Sequence, residues 1–527
     1  MRTEQRTPRR AWSALAAGAL SGATAGLAAL AVAELVSAAV RPEAGPVVAV
    51  GGAAIDRAPA PVKDWAIRAF GANDKLVLQW GILAVLAVLA IALGVLAVRR
   101  RTAGSVGVLL FGVVGAWAAT TRPDSTGAAD ALPSVVGAVA GAVLLHWLIG
   151  LATSERTPGA GNAGRWDRRR FLTATTAAAL ASVGAGVLGR SLNSARGKDA
   201  IASRERIRLP APASAAPAVP RGARLRVADI SAFFTPNKDF YRVDTALVVP
   251  KVDADTWRLR IHGKGVRRPV TVTFDDLLRR PLIARDITLT CVSNEVGGPY
   301  VGNARWLGVH LGDLLAECGV EPPARGGPAD QLVARSVDGM TIGTPVDDVM
   351  DGRDALLALG MNGEPLPFDH GFPVRMLVPG LYGYVSACKW LKDLELTTFD
   401  AYDPYWVKRD WAREAPVKTQ ARIDTPRPFA RPEAGTVMIA GVAWAQHRGI
   451  GKVEVRVDDG RWQRADLAAE DTRDTWRQWS LPWRASRGGH TLTVRATDRT
   501  GEVQTGKRTR PMPNGASGHH SVVITVD

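Results

Sequence analysis

The sequence predicts three parts: an N-terminal bundle of about five transmembrane α-helices, an α+β domain and a C-terminal immunoglobulin-like β-sandwich. Residues 1–190 are rich in Ala, Leu, Val and Gly and contain long uncharged runs, whereas the remainder has a globular composition. Strands and short helices alternate up to about residue 405, and short strands with Asp-Gly turns follow. The predicted boundaries are 1–190 for the helices, 191–221 for a Pro/Ala-rich linker, 222–405 for the α+β domain and 406–527 for the sandwich.

Several segments are long and apolar enough to cross a bilayer, which takes about 20 mostly apolar residues. One of them, LVLQWGILAVLAVLAIALGVLAV, offers no polar face to water, so a helix of a soluble protein is a poor alternative. The predicted spans are Ala11–Val40, Leu76–Val98, Gly104–Thr120, Leu132–Leu151 and Phe171–Gly189.

Arginine clusters predict the orientation, because Lys and Arg are enriched on the cytoplasmic side of membrane proteins. Three clusters fall on one side of a topology with five spans. They are Arg2, Arg6, Arg9 and Arg10; Arg99, Arg100 and Arg101; and Arg156, Arg165, Arg168, Arg169 and Arg170. We therefore expect a multi-pass protein of the cell membrane, with its N-terminus in the cytoplasm and everything after Gly189 outside it.

The last predicted span begins WDRRRFLTATTAAAL. Its Arg168, Arg169, Phe171 and Leu172 fit the twin-arginine export pattern R-R-x-F-L. An ordinary cytoplasmic arginine cluster is the alternative. Export of a folded domain makes sense where a cofactor must be inserted in the cytoplasm first. Since no convincing small-residue cleavage site follows, we expect the helix to remain as an anchor.

Composition also argues against some functions. The formal net charge is +16, but no basic stretch is interleaved with aromatic residues, so nucleic-acid binding is not predicted. Of the eight histidines only His146 falls in a predicted span, which argues against a haem held by two histidines. His146 and Glu34 lie near span ends, and we expect them to reach the membrane interface.

Cys291 follows the alternating strand DITLT and enters a polar turn with Asn294 and two glycines. A strand end that feeds such a loop presents a side chain to a cleft. The thiol could be a buried structural residue, a nucleophile with His310 or His370 as its base, or a soft metal ligand. The residues alone leave these three readings open. The other two cysteines, Cys318 and Cys388, are interpreted as structural.

Ordered motifs in residues 225–527 resemble the sulfite oxidase family of molybdopterin enzymes. Cys291 and Asn294, followed by the W-x-G-x-x-L-x-x-L pattern of ARWLGVHLGDLL, resemble the family's molybdenum-ligand segment. The stretch NGEPLPFDHGFPVRMLVPGLYGYVSACKWLKDLEL resembles its cofactor-binding segment. The resemblance implies that His370 and Arg375 contact the pterin phosphate. It implies further cofactor contacts from Gly383, Ser386 and Lys389.

A third stretch, NKDFYRVDTALVVP, resembles the family's opening segment. Phe240 and Arg242 match it, while Asp244 stands where the family has a histidine. The sandwich resembles the family's C-terminal dimerisation domain, which implies a homodimer. Sulfite-oxidising members continue from the cysteine with arginines, whereas this chain has Ser293 and then Asn294-Glu295. Glu295 would either repel an anion or pair with a structural arginine.

The resemblance implies a membrane-anchored, extracytoplasmic oxidoreductase with a molybdenum–molybdopterin cofactor. Cys291 would be the metal's thiolate ligand, and Arg242 would add positive charge at the substrate. Oxo transfer would act on a small molecule, either as sulfite-type oxidation or as sulfoxide reduction. Electrons would pass to or from a membrane quinone or a separate redox protein. The alternatives are a non-catalytic cell-surface binding protein that lacks the metal and a thiol hydrolase using Cys291 and His310.

Overall fold

A computed structural model of the chain describes residues 8–59, 62, 65–66, 69–70, 74–153 and 168–527. Of the predicted arginine clusters, Arg2, Arg6, Arg156 and Arg165 lie outside these residues. The chain forms two compact units. The helical unit comprises Met1–Asp199 and Thr245–Val249, and the globular unit comprises Ala200–Asp244 and Pro250–Asp527.

The helical unit is built from long apolar helices. Among the described residues, five of them are long and apolar enough to cross a membrane, and this number equals that of the predicted spans. A shorter helix, α2, was not predicted. The helices are α1 (Pro8–Ala39), α2 (Pro46–Arg57), α3 (Asp74–Arg99), α4 (Arg101–Thr121), α5 (Leu132–Thr153) and α6 (Arg168–Arg206).

Small residues let the helices α1 and α3 approach closely. A Cβ atom added at Gly22 would lie 2.1 Å from the carbonyl oxygen of Ala90, and one at Gly94 would lie 2.1 Å from that of Gly18. Backbone-to-backbone packing of this kind is typical of helices in a bilayer, where dispersion contacts hold helices together.

Ion pairs join the polar segments at one end of the bundle. Arg41, just after α1, forms a two-pronged pair with Asp130, with both N–O distances 2.9 Å. Arg122, just after α4, lies 2.8 Å from Asp124. The ends of α1 and α4 and the start of α5 therefore lie together. The turn between α3 and α4, which carries Arg99 and Arg101, lies at the other end of these helices.

The helix α6 is longer than predicted. It continues past Gly189 to Arg206, through part of the segment predicted to be an extended linker. Residues 191–206 contain no proline, and most of them are tolerated well in a helix. The first proline after α6 is Pro210, and extended backbone begins only beyond the helix.

The first part of the globular unit combines two β-sheets with short helices, in agreement with the predicted α+β domain. One sheet has the order β2-β1-β10-β5-β6, and the other has the order β3-β4-β7-β8 with β9 paired to β7. The strands are β1 (Arg258–Gly263), β2 (Val270–Thr273), β3 (Ile283–Thr290), β4 (Val301–His310), β5 (Gln331–Ser336), β6 (Thr341–Pro345), β7 (Leu356–Met361), β8 (Glu364–Pro365), β9 (Arg375–Leu377) and β10 (Leu391–Thr397). The helices are α7 (Phe274–Leu278), α8 (Leu311–Glu317), α9 (Val346–Met350) and α10 (Gly383–Ser386).

Both sheets contribute to one hydrophobic core that contains Trp306, Phe372 and Leu394, all fully buried. The strand β3 pairs with β4 along one edge only, with Thr290 opposite Val301 and Ile283 opposite Gly308. Cys291 follows β3 directly, so the core fixes the end of the strand from which this cysteine emerges.

The C-terminal sandwich consists of two four-stranded antiparallel sheets around a second core. The sheet orders are β11-β12-β16-β15 and β14-β13-β17-β18. Ile439 and Trp479 of one sheet share the core with Val453 and Leu492 of the other. The strands are β11 (Gln420–Thr425), β12 (Gly435–Trp444), β13 (Ile450–Val457), β14 (Gln463–Arg464), β15 (Asp466–Leu467), β16 (Arg477–Ala485), β17 (Gly488–Asp498) and β18 (His520–Val526). The two-sheet layering agrees with the prediction, and its immunoglobulin type stays a prediction.

Candidate active site

Cys291 is held at the end of β3 by the loop that follows it. Its N–H donates to the carbonyl of Tyr300 at 2.9 Å, and its own carbonyl accepts from Asn294 N at 3.1 Å. The side-chain oxygen of Asn294 accepts from Tyr300 N at 2.8 Å. These bonds close the loop into a compact turn and fix the direction in which the thiol leaves the strand.

The thiol of Cys291 is buried, with an exposed fraction of 9%. Burial raises its pKa, while hydrogen bonds from the backbone and hydroxyl of Ser293 and the charge of Lys389 act in the opposite direction. Because burial has the largest effect, the free side chain is a thiol at neutral pH, and the charge of a bound metal cation would stabilise the thiolate. A metal-ligating role for this sulfur therefore depends on the charge of the metal itself.

Arg375 is the most unusual charged residue of this region. It lies on β9 with an exposed fraction of 7%, and burial lowers the pKa of its guanidinium. Its NH1 donates to the carbonyl of His370 at 3.4 Å, and its guanidinium lies 5.4 Å from the ring of Trp306. Its Nε has no hydrogen-bond partner, and no carboxylate pairs with it in the described part of the chain. A buried cation in this state is costly unless an anion joins it.

His370 lies beside Arg375 in a short 3₁₀ turn and is buried. Burial and the charge of Arg375 lower the pKa of its imidazole to about 4, so the ring is neutral at pH 7. Its Nε2 donates to the carbonyl of Asn237 at 3.0 Å, since a carbonyl can only accept. Phe240 packs edge-on against this ring with centroids 5.5 Å apart and also contacts Trp306. Phe240 thus forms part of the wall of the site.

A chain of ion pairs links the other predicted residues. Lys389 Nζ lies 2.6 Å from Asp244 Oδ2, and both side chains are almost fully buried. Arg242 Nε lies 3.1 Å from the same oxygen, and its NH1 lies 3.1 Å from Asp369. The structure therefore brings Arg242, Asp244 and Lys389 together. The charge of Arg242 is balanced by carboxylates, which weakens its predicted role as a cation for the substrate.

Gly383 and Ser386 mark the two ends of the short helix α10. An added Cβ atom at Gly383 would lie 3.7 Å from the carbonyl oxygen of Thr290, so it would make ordinary van der Waals contacts there. The buried hydroxyl of Ser386 donates within its own turn, to the carbonyls of Leu381 and Tyr382, each at 3.0 Å. Ser386 thus stabilises the turn, and its oxygen is left only as an acceptor for a ligand.

Two tyrosines near Cys291 were not predicted from the sequence. Burial raises the pKa of Tyr241; the nearby Cys291 raises it further, while Arg375 opposes both. Tyr241 is thus close to both residues, and its ring stacks on that of Phe240. The pKa of Tyr382 rises to about 12 through burial and the same cysteine. The signal available in the sequence was the position of Tyr241 inside the FYR match and of Tyr382 next to Gly383.

His310 does not support the hydrolase alternative. It lies at the far end of β4 from Val301, which adjoins the loop of Cys291, and nine residues of strand span about 30 Å. Its Nδ1 accepts from Asp313 N at 3.2 Å, and its Nε2 contacts the carbonyl of Arg353 at 3.2 Å. Both ring nitrogens are engaged in holding α8.

The structure also shows the surroundings of Cys318, Cys388 and Glu295. Cys318 and Cys388 are buried and unpaired, in agreement with a structural role. Glu295 is exposed and forms no ion pair with an arginine in the described part of the chain, so the expected structural pairing is absent. A basic cavity of about 500 Å³ lies on the other sheet and contains none of the predicted site residues. Its lining is Arg258, Arg260, His262, Arg335, Lys392 and Asp393.

The described residues fit a molybdopterin cofactor. An anionic phosphate would supply the partner that the buried Arg375 lacks, and Arg matches phosphate oxygens with paired donors. The side-chain nitrogen of Asn294 is also buried without a partner. The sulfur of Cys291, once deprotonated, would suit a soft metal.

Comparisons with known proteins identify the type of domain that contains these residues. The family described as oxidoreductase molybdopterin binding domain matches residues 246–406. Human mitochondrial sulfite oxidase is 32% identical over 296 residues, which are 47% of this chain and 53% of that protein. NADH nitrate reductase 1 of Oryza sativa subsp. japonica is 33% identical over 199 residues, covering 33% of this chain and 21% of that one.

Among solved structures, the sulfane dehydrogenase SoxCD of Paracoccus pantotrophus is similar, with a TM-score of 0.47 and 26% identity. That match covers 56% of this chain and 83% of the other. The chain spans about half the length of the sulfite oxidases that it matches. It carries a molybdopterin-dependent oxidoreductase domain of the sulfite oxidase family, whose cofactor is molybdenum–molybdopterin.

Proposed function

We propose that the protein is a membrane-anchored, extracytoplasmic molybdenum oxidoreductase that transfers an oxo group to or from a small substrate. The observation that carries this proposal is Arg375, a buried guanidinium without a carboxylate partner in the described part of the chain. A protein that had lost its cofactor would have no reason to keep this costly cation. For that reason we place the non-catalytic binding protein second.

Different residues of the chain would bind different parts of the cofactor. Cys291 would ligate the molybdenum, and Arg375 with His370 would hold the pterin phosphate. When bound, the cofactor supplies two-electron oxo-transfer chemistry, while the protein positions and tunes it. Further contacts to the cofactor would come from Phe240, Arg242, Asp244, Asn294, Gly383, Ser386 and Lys389.

The polar groups near Cys291 favour a neutral substrate over an anion. Tyr241 and Tyr382 carry neutral hydroxyls, since burial raises the pKa of both. Such hydroxyls can donate a hydrogen bond to the oxygen of a sulfoxide. Arg242 is balanced by Asp244 and Asp369, so it would offer sulfite little uncompensated charge. We therefore favour sulfoxide reduction, with sulfite-type oxidation as the second candidate.

Sulfoxide reduction and sulfite oxidation transfer electrons in opposite directions. A sulfoxide takes up two electrons and two protons and yields a sulfide and water. Sulfite and water yield sulfate, two electrons and two protons. The electrons would come from, or go to, a membrane quinone or a separate redox protein, and the sandwich would mediate a homodimer.

The proposed topology follows the arginine clusters, with the N-terminus in the cytoplasm and the globular unit outside it. The bundle supports this, because the turn at Arg99 and Arg101 lies at the opposite end of α4 from the ion-paired segments. We further propose a helical domain at 1–190, a linker at 191–221, a catalytic domain at 222–405 and an immunoglobulin-like domain at 406–527. The structure runs α6 across the first of these boundaries.

A dye-linked assay of the molybdenum-loaded full chain tests the function. Reduced viologen with methionine sulfoxide would report reduction, and ferricyanide with sulfite would report oxidation. We expect turnover in the first assay to exceed that in the second. Activity only with sulfite would reverse the proposed direction. Molybdenum-loaded protein inactive with S-oxides, N-oxides and sulfite would favour the binding protein.

A further inference from the structure

The strand that delivers Cys291 has an edge that no strand of its own sheet covers. β3 lies at the end of the order β3-β4-β7-β8, where β4 is its partner strand, and on its other edge Ser214 bridges to Ile283 at the start of the strand. The N–H and C=O groups along such an edge need partners when they are buried. At Thr288 and Thr290 the exposed fraction is only 2%, so water is largely excluded there.

Residues of the C-terminal sandwich supply those partners. The side-chain nitrogen of Gln446 donates to the carbonyl of Thr288 at 3.0 Å and to the hydroxyl of Thr290 at 2.8 Å. Thr288 N donates to the carbonyl of Asp474 at 2.9 Å, and Trp476 N donates to the hydroxyl of Thr288 at 2.7 Å. Thr288 and Thr290, two of the last three residues of β3 before Cys291, are thus fixed from the sandwich side.

The sandwich also holds the loop that follows Cys291. Arg422 NH1 donates to the carbonyl of Gly298 at 2.8 Å, and its Nε lies 2.7 Å from Asp424. At Gly297 the backbone φ is +81°, and an added Cβ atom would lie 2.1 Å from the ring of His520. The loop is therefore packed between the end of β3 and the start of β18.

We propose that Gln446 is a positioning residue of the active site, which acts through Thr288 and Thr290 on the direction of the Cys291 thiolate. This inference deepens the proposed function and rests on Cys291 being the molybdenum ligand. Ligand residues need supporting hydrogen bonds, because small errors in their direction alter the metal that they hold. The sandwich would then take part in catalysis besides its proposed role in dimerisation.

The test compares Gln446→Met with Gln478→Met in the full chain. Gln478 is a matched control: it is a buried sandwich residue that also makes two hydrogen bonds outside the sandwich, to Leu225 N at 2.7 Å and to the carbonyl of Ser231 at 2.7 Å. Both substitutions keep the approximate volume and remove the amide. Only the first removes contacts with β3.

Hydrogen–deuterium exchange of metal-free protein measures the strand end directly. We expect peptides that cover residues 286–291 to exchange at least about tenfold faster in Gln446→Met, because an opened edge loses its protection. Gln478→Met should leave them unchanged. Equal acceleration in both variants, or in neither, would overturn the inference. If Gln446→Met does not fold, Thr290→Val replaces it, because it removes one of the same hydrogen bonds and keeps the side-chain shape. Its exchange rate at residues 286–291 is then compared with that of Gln478→Met.

A second readout uses the molybdenum-loaded enzyme. We expect Gln446→Met to retain the metal but to shift the electron paramagnetic resonance signal of Mo(V) and to lower kcat about tenfold or more with little change in KM. An unshifted signal would overturn the inference. Failure of the proposed function is distinguishable, because Cys291→Ser would then keep full dye-linked turnover.

Discussion

Arg375 and His370 are joined by a single long hydrogen bond, 3.4 Å between NH1 of the arginine and the carbonyl oxygen of the histidine. Both side chains are buried, and burial lowers the pKa of each. The pair therefore places one neutral ring and one poorly compensated cation next to each other. Binding of a dianionic phosphate there would relieve the unfavourable burial of the guanidinium.

The substitution Arg375→Met should weaken cofactor binding by about 1.5–3 kcal/mol, because it removes charged hydrogen bonds to the phosphate. The thermal stability of cofactor-free protein should not fall, since the variant no longer buries a cation. Arg477→Met is the control, as Arg477 donates to the carbonyls of Ala468 and Ile450 inside the sandwich. That variant should lose stability and keep its cofactor. Molybdenum per chain and Tm measure both effects, and full metal content in Arg375→Met would contradict the assignment.

Cys291→Ser should abolish oxo-transfer activity and leave the fold intact, because a serine hydroxyl is a poor ligand for a soft metal. Cys318→Ser provides the control. That thiol is also buried, but it lies at the C-terminal end of α8, in the core. We expect activity in the control to remain near that of the parent. Dye-linked turnover and molybdenum content should be measured together. A fully active Cys291→Ser enzyme would eliminate the thiolate ligand.

Asp244→Ala should destabilise the globular unit by about 3–5 kcal/mol, because it leaves the nearly buried Lys389 without its carboxylate. The exposed pair of Arg206 and Asp255 offers a comparison, with an N–O distance of 2.6 Å. Asp255→Ala should change stability by about 0–1 kcal/mol. Chemical unfolding of the two variants measures the difference. Equal effects would show that the Lys389 pair is as weak as a surface pair.

Acid should destabilise the globular unit through two histidines. His370 and His520 have pKa values lowered to about 4 from 6.5, in both cases mainly by burial. Between these values the unfolded chain binds more protons than the folded chain, so stability decreases as pH falls from about 6.5 to 4. Each full shift corresponds to at most about 3 kcal/mol.

Thermal unfolding at pH 7 and pH 5 measures this dependence. His520→Gln should flatten part of it, because glutamine can still accept from Ile423 N, as Nδ1 of the histidine does at 3.0 Å. The double variant with His370→Gln should flatten it further. A pH dependence that is the same in all three proteins would refute the assignment.

A twin-arginine export signal can be distinguished experimentally from an arginine cluster that acts only by its positive charge. Arg168→Lys with Arg169→Lys preserves the positive charge at the start of α6, so orientation by charge should persist. If a twin-arginine signal operates, the globular unit should no longer reach the outside. Arg99→Lys with Arg100→Lys is the control at the end of α3. Protease accessibility of the globular unit in intact cells measures the outcome, and full accessibility in the first variant would contradict the signal.

Local patterns were sufficient for much of the fold. Uninterrupted apolar segments such as the one in α3 predicted the five candidate spans. Alternation predicted the two-sheet sandwich. The end of α6 was missed because its polar continuation, residues 191–206, has no apolar pattern and yet no residue that stops a helix.

The site was predicted through motif resemblance, and its contacts were not. Nothing in the sequence relates Lys389 to Asp244, which are far apart in the chain and meet only in the fold. The same holds for Gln446 and Thr288, whose contact depends on how the sandwich lies against β3. Tyr241 was not predicted, because only its neighbours Phe240 and Arg242 match the motif.

The covered edge of β3 also limits where the chain can be truncated. A fragment that stopped near residue 406 would open the outer edge of β3 at Thr288, with bare N–H and C=O groups close to Cys291. Open strands of this kind recruit strands from other molecules and lead to aggregation. A soluble version freed from the bilayer must therefore extend through β18 if it is to stay monodisperse.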